Sequence, residues 1–293
     1  MDVVVRQRPK LYKLDLAIER VIRESVDTVT LVFEKAPEEL VYKAGQFCNI
    51  DVHQFDTLKN FTAYLEAQKG RKELPRSYSL ASAPHEPQLA ITIKEELFIP
   101  GETKYPPLIS SHLVRTVRAG DRITLVGFQG PYVLPDDVEQ HTQHLVHVVA
   151  GSGAVPNFSI LKDALHRGLK LRHTFIYSNR TWADVAYLEA LGELEAKYPS
   201  QLRVVHTLTR ETDESKFNAK VRRGRVSLEL LRELVPDADK ALAYVCGPAV
   251  SSWERRASLE SGTPTTPRFL ENAIAHLHEL GIPDKRIKRE AYG

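Results

Sequence analysis

The chain has 293 residues, 27% of them charged and 42% hydrophobic, with a net charge of +2; this suits a globular protein of two domains and gives no general case for nucleic acid or a membrane surface. No apolar run approaches a membrane span, and the start from Met1 to Arg6 lacks the shape of a signal peptide. With only Cys48 and Cys246 there is no disulfide framework, a reducing cytoplasmic setting is expected, and any iron–sulfur cluster must sit on another polypeptide.

In chain order, apolar and polar residues alternate from Tyr12 to Arg20, again through Val29, Leu31 and Phe33, and from Phe47 to Val52 after the turn Ala44-Gly45-Gln46. A polar, partly helical insertion over 53–74 interrupts the rhythm. Strands are then predicted at Arg76–Leu80, Leu89–Lys94 and Arg122–Val126, with a helix from about Ser110 to Val117 after Pro106 and Pro107. Short alternating strands at this spacing predict an antiparallel β-barrel over 1–137.

After Pro135 the chain turns polar, as a linker would. Strands at Leu145–Ala150, His173–Tyr177, Leu202–Thr207 and Ala241–Cys246 then alternate with helices. Repeated βα units predict an α/β domain over 138–293 with a doubly wound parallel sheet, and ligand at the carboxyl ends of its strands.

The first of those strands ends at Gly151-Ser152-Gly153, and a helical pattern follows from Asn157, with Pro156 just before it. Such a turn aims free N–H groups and a helix dipole at an anion, and glycines let a pyrophosphate approach the main chain. An ordinary strand-to-helix turn has the same outline, and Pro156 stands where the usual dinucleotide fingerprint has a third glycine. In the barrel half, Arg76 and Tyr78 share one strand face and Ser79 takes the other. Arginine beside an aromatic suits a ligand with both phosphate and a flat ring, although an exposed Arg beside a core Tyr reads the same way.

Together these stretches resemble the ferredoxin–NADP⁺ reductase superfamily, whose motifs occur here in order over nearly the whole chain. They are Gly45-Gln46-Phe47, Arg76-Ser77-Tyr78-Ser79 (R-x-Y-S), Ile93-Lys94, Gly151 to Pro156 (G-x-G-x-x-P) and Cys246-Gly247-Pro248. The resemblance implies that Arg76 pairs with an FAD pyrophosphate, Tyr78 packs on the isoalloxazine, and Ser79 bonds near N5. It places Thr92, Ile93 and Lys94 on the strand bordering the flavin, and the N–H groups of Ile109, Ser110 and Ser111 at the pyrophosphate. Pro107 replaces that loop's usual glycine. Gly151, Ser152, Gly153, Pro156, Gly247 and Pro248 would cradle the pyridine nucleotide, with Cys246 where the nicotinamide passes. The ending Glu290-Ala291-Tyr292 matches the family's terminal Glu-x-aromatic, so Tyr292 would cover the second flavin face and Glu290 would relay a proton through Ser79. Gly293 extends one residue further than in plant-type members.

Strand ends indicate which coenzyme. Ser178, Asn179 and Arg180 follow Tyr177 without a carboxylate before Asp184, which is read as a helix cap, and Thr209-Arg210 adds a cation. Arginine suits a 2′-phosphate, so NADPH is expected over NADH. The basic run Lys216, Lys220, Arg222, Arg223, Arg225 reads first as a solvated face and second as a dock for an acidic carrier, extended by Lys285, Arg286, Lys288 and Arg289. His144 and His147 point to opposite strand faces, and His276 and His278 diverge on a helix, so no metal is expected. Residues 251–267 read as an insertion. The expected activity is hydride uptake from NADPH onto FAD and single-electron delivery to a ferredoxin, flavodoxin or oxygenase component. Rivals are a reductase of free flavin or other small acceptors, and a non-catalytic nucleotide-binding module.

Overall fold

The structure, a computed structural model, describes residues 12–100 and 105–292. The readings made on Met1 to Arg6 and on Gly293 lie outside the described residues. Two compact units emerge, one from residues 12–22, 29–100 and 105–133, the other from 23–28 and 134–292.

The first unit is an antiparallel sheet of β1 (Tyr12–Ser25), β2 (Thr28–Lys35), β3 (Phe47–Ile50), β4 (Arg76–Ser79), β5 (Gln88–Lys94) and β6 (Arg122–Gln129). Helix α1 (Lys59–Lys69) lies in the 53–74 insertion and α2 (Ile109–Arg115) precedes β6. The strand order is β4-β3-β6-β1-β2-β5. An antiparallel bridge from Leu80 to Ile91, with Ala81 N donating to Ala90 O at 2.7 Å, links the two edges and nearly closes the barrel. Alternation supplies the core: Leu16 and Ile18 from β1, Leu31 and Phe33 from β2, and Leu89, Ile91 and Ile93 from β5 point inward together. Leu65 of α1 joins the same core, so the insertion is docked on the barrel by its one fully buried apolar side chain.

The second unit holds α3 (Val138–His141), β7 (His144–Ala150), α4 (Ala154–His166), β8 (Arg172–Asn179), α5 (Leu188–Lys197), β9 (Leu202–Leu208), β10 (Val221–Arg223), α6 (Leu228–Leu234), β11 (Leu242–Pro248), α7 (Ser252–Ser261), α8 (Phe269–Glu279) and β12 (Ile287–Tyr292). All neighbours pair parallel, in the order β10-β9-β8-β7-β11-β12. Helices cover both faces: Asn157 of α4 bonds His147 on one side, while Leu231 of α6 and Ala273 and Leu277 of α8 pack with Val146 and Val148 on the other. That double cover is why β7 is buried along nearly its whole length and mostly apolar, its two histidines being hydrogen-bonded inside. The predicted barrel and the predicted doubly wound sheet are both present.

Several local expectations need correction. Helix α4 begins at Ala154, three residues before the expected Asn157, because Pro156 in a first turn needs no N–H partner. Helix α2 runs Ile109–Arg115 rather than Ser110 to Val117. The polar stretch after Pro135 contains α3, pinned by the buried Val138. Strand β10 lies inside the basic run, where charge masks an edge strand. Residues 251–267 contain α7, started by a Ser251–Glu254 capping box and ended by Gly262 in the left-handed region.

Candidate functional site

In the second unit, three motifs far apart in sequence meet at the carboxyl ends of β7, β11 and β12. Cys246 lies beside Val149 on one side and Glu290 on the other, and Gly247 and Pro248 pair with Ala291 and Tyr292. Gly151 to Gly153 forms a single 3₁₀ turn leading into α4, with Gly151 in the left-handed region at φ 53°. A Cβ on Gly153 would stand 2.3 Å from the carbonyl oxygen of Cys246, so only glycine lets the two turns approach. A Cβ on Gly247 would meet the Phe269 ring at 2.6 Å.

Two polar residues that sequence reasoning passed over hold this turn. Tyr177 Oη donates to Gly151 O at 3.1 Å from the neighbouring β8. Asn157 is fully buried, with Oδ1 2.8 Å from His147 Nδ1 and Nδ2 donating to Gly153 O at 3.4 Å. A buried amide and phenol aimed at a glycine turn were the available signal, but strand facing alone does not name their partners.

The residues expected from the sequence to select the coenzyme divide by exposure. Ser178 and Asn179 are buried at the end of β8, and the Asn179 Nδ2 has no hydrogen-bond partner among the described residues. Arg180 and Arg210 are exposed and adjacent: Arg210 N donates to Arg180 O at 2.7 Å, and neither guanidinium makes an ion pair among the described residues. Asp184 accepts from Thr181 N and Oγ1, both at 2.9 Å, and so caps the following turn. The carboxylate of Glu211, not singled out from sequence, is engaged by the N–H groups of Trp182, Thr212 and Asp213, which keep it below the ordinary carboxylate range.

Cys246 is fully buried, and burial, reinforced by the Glu290 charge, pushes its thiol far above the ordinary range. It stays protonated and packs as a small apolar side chain, not a thiolate. In the basic run, Lys216 pairs with Asp213, Lys220 with Glu195, Arg222 with Glu233 and Arg223 with Glu214, so most of that charge is answered within the unit. Arg289 pairs with Asp284, and Arg286 caps the carbonyl of Lys240.

In the barrel, β4 carries Arg76 and Tyr78 on one face and the buried Ser79 on the other. The Arg76 guanidinium donates to Glu73 Oε2 at 2.9 Å and to Leu74 O at 2.7 Å. Tyr78 packs on the barrel core, and its burial, then Glu96, pushes the hydroxyl upward. The Thr92 hydroxyl bonds Thr30 at 2.7 Å and the Ile93 side chain lies in the core, so what this strand can offer a ligand is its main chain and Lys94. Ile109 and Ser110 are buried in the first turn of α2, where the Ser110 Oγ accepts from Glu96 N at 3.2 Å. Ser111 is partly exposed beside them, and Pro107 stops two residues short of the helix.

A flavin fits the barrel on these observations. Arg76 has five N–H donors, two of them engaged, and sits beside an aromatic ring that already lies against apolar core. A pyridine nucleotide fits the second unit, whose glycine turn admits no side chain at Gly153 and whose Arg180 and Arg210 make no ion pair among the described residues. Among the described residues there is no cluster of His, Cys, Asp or Glu with metal-site geometry, and no helix long and apolar enough to cross a membrane.

Residues 148–250 match the oxidoreductase NAD-binding domain family. The ferredoxin reductase component of 3-ketosteroid-9-alpha-monooxygenase from Mycolicibacterium smegmatis is 33% identical over 286 residues, covering 95% of this chain. The chain spans 65% of that relative's own length. The FAD/NAD-binding domain of nitric oxide dioxygenase from Vibrio cholerae superposes with a TM-score of 0.68 at 19% identity, covering 95% of this chain and 98% of that one. Ferredoxin-NADP⁺ reductase from Plasmodium falciparum superposes with a TM-score of 0.62 at 17% identity, covering 96% of each chain. Residues 148–250 therefore form a match to an oxidoreductase NAD-binding domain, and the chain shares the fold of these solved FAD/NAD-binding and ferredoxin-NADP⁺ reductase structures.

Proposed function

We propose that this chain is an FAD-dependent NAD(P)H reductase, with NADPH the preferred coenzyme, that serves a separate ferredoxin, flavodoxin or oxygenase component. The observation that carries this reading is the meeting of Gly151–Gly153, Cys246-Gly247-Pro248 and Glu290-Ala291-Tyr292 at one end of the parallel sheet. The M. smegmatis relative, a ferredoxin reductase component of a monooxygenase, favours an oxygenase system as the destination of the electrons.

When bound, the flavin supplies the acceptor for the nicotinamide hydride and lets two electrons leave one at a time. The residues of the chain bind and orient. Arg76 holds the flavin pyrophosphate with its remaining donors, helped by the first-turn N–H groups of Ile109, Ser110 and Ser111. Tyr78 offers a ring face, Ser79 a hydroxyl, and Thr92, Ile93 and Lys94 a bordering strand. In the second unit Gly151, Ser152, Gly153 and the start of α4 with Pro156 receive the nucleotide pyrophosphate. Ser178 and Asn179 line the strand end, and Arg180 with Arg210 takes the 2′-phosphate. Cys246, buried and protonated, keeps the strand end small and uncharged where the nicotinamide passes, Glu290 takes up and returns a proton, and Tyr292 supplies a mobile ring.

The test is the absorbance of the purified chain and its turnover. Flavin bands, bleached by NADPH and restored through a ferredoxin, are expected. A colourless protein that binds no added FAD would remove the reading, and turnover with free FMN alone would replace the protein acceptor by a small one.

A further inference from the structure

We propose that Glu73, at the end of the 53–74 insertion, is a positioning residue that sets the Arg76 guanidinium for the flavin pyrophosphate. The inference rests on the flavin reading of Arg76 given above. The one-sided feature is burial: the Glu73 side chain is 5% exposed whereas that of Arg76 is 46% exposed. A carboxylate in that setting needs partners, and it has two, since one oxygen takes the Lys69 ammonium and the other accepts from Arg76 Nη2 at 2.9 Å.

Glu73 is itself fixed by a chain of contacts that begins at the barrel wall. Asp51, just past β3, bonds His53 Nδ1 at 2.6 Å, and His53 Nε2 meets Glu66 Oε1 on α1 at 2.9 Å. The same Glu66 oxygen accepts the backbone N–H of Glu73 at 2.8 Å. Thr62 and Leu65 bury the inner face of α1, and Gly70 ends the helix in the left-handed region so that the chain turns back towards β4. The insertion thus delivers a carboxylate to one edge of the Arg76 guanidinium while Leu74 O engages another. Three N–H donors stay available, and the side chain no longer has its rotamers to lose on binding.

Charge alone argues the other way, because a carboxylate beside Arg76 repels a pyrophosphate. Lys69 offsets this: Glu73 faces two cations, so the group of three keeps a net positive charge. Orientation is therefore the larger effect.

The test is a fluorescence titration of the full chain with FAD. Glu73→Ala should raise the FAD dissociation constant about tenfold, and Glu73→Gln, which keeps an acceptor for Arg76, should restore most of that loss. On an Arg76→Ala background, Glu73→Ala should add less than about twofold, since there is nothing left to orient. Additive losses, or tighter FAD binding by Glu73→Ala, overturn the inference and leave the flavin site standing. An Arg76→Ala variant that binds FAD as well as the parent removes the flavin reading itself, and the inference with it.

Discussion

Arg76 in the barrel and the Arg180–Arg210 pair in the α/β unit are both read as anion ligands, yet their surroundings differ in kind. The first is held by a buried carboxylate and a carbonyl; the second pair stands in solvent with no ion pair among the described residues. A pre-oriented guanidinium suits a group that stays bound, because the ordering has been done in folding. Free guanidiniums suit a coenzyme that arrives and leaves. The polar interiors differ as well: the second unit buries His144, His147, His173 and His206, while the barrel buries no histidine among its described residues.

Acid should expose that second contrast most strongly. Burial holds His147 and His206 at about 4 and His173 well below its ordinary value. Their folded pKa lies under the unfolded one, so between about pH 6.5 and 4 the unfolded chain binds more protons and stability falls as pH falls. Each such histidine removes roughly 1.4 kcal/mol per pH unit across that window. Both tryptophans, Trp182 and Trp253, lie in the second unit, so denaturant unfolding followed by their fluorescence reads it selectively. A profile flat from pH 6.5 to 4 would erase the difference between the units.

Gly153→Ala comes next. Its Cβ would meet main chain, not a yielding side chain, so a loss of roughly 3 kcal/mol is expected, with pyridine-nucleotide affinity falling and FAD retained. Loss of FAD instead would show that the barrel depends on this turn. Arg180→Ala should raise the KM for NADPH about tenfold with little change for NADH, and Arg210→Ala should do the same. Equal losses with both coenzymes refute the 2′-phosphate assignment. The smallest effect is expected for Tyr177→Phe, which frees the Gly151 carbonyl: about 1 kcal/mol in nucleotide binding, with no change in FAD affinity.

Much of the fold was legible because periodicity is local. Alternation through Leu14, Leu16 and Ile18 reads as a half-buried strand, and the short, β-branched, mostly apolar run Leu145–Ala150, stopped by Gly151, reads as a strand covered on both faces. Strand β10 was not legible, since Val221-Arg222-Arg223 has one apolar residue and takes its strand form from β9 alongside. The opposed facing of His144 and His147 was readable from strand geometry, and the structure places His144 at Asp237 and Thr174 and His147 at Asn157 and His173. The partners themselves were not readable, because they come from other elements.

The motifs and their order belong to the linear chain: glycine at 151 and 153, arginine and tyrosine at 76 and 78, and a carboxylate and ring at 290 and 292 were visible before any folding. Tertiary structure alone decided that His53 would meet Glu66 beneath Glu73, that Tyr177 would hold Gly151, and that the main chain of Cys246 would close on Gly153. Composition and spacing act through each residue's own conformational preferences, whereas these contacts depend on where the backbone brings distant segments together, which only the packed core settles.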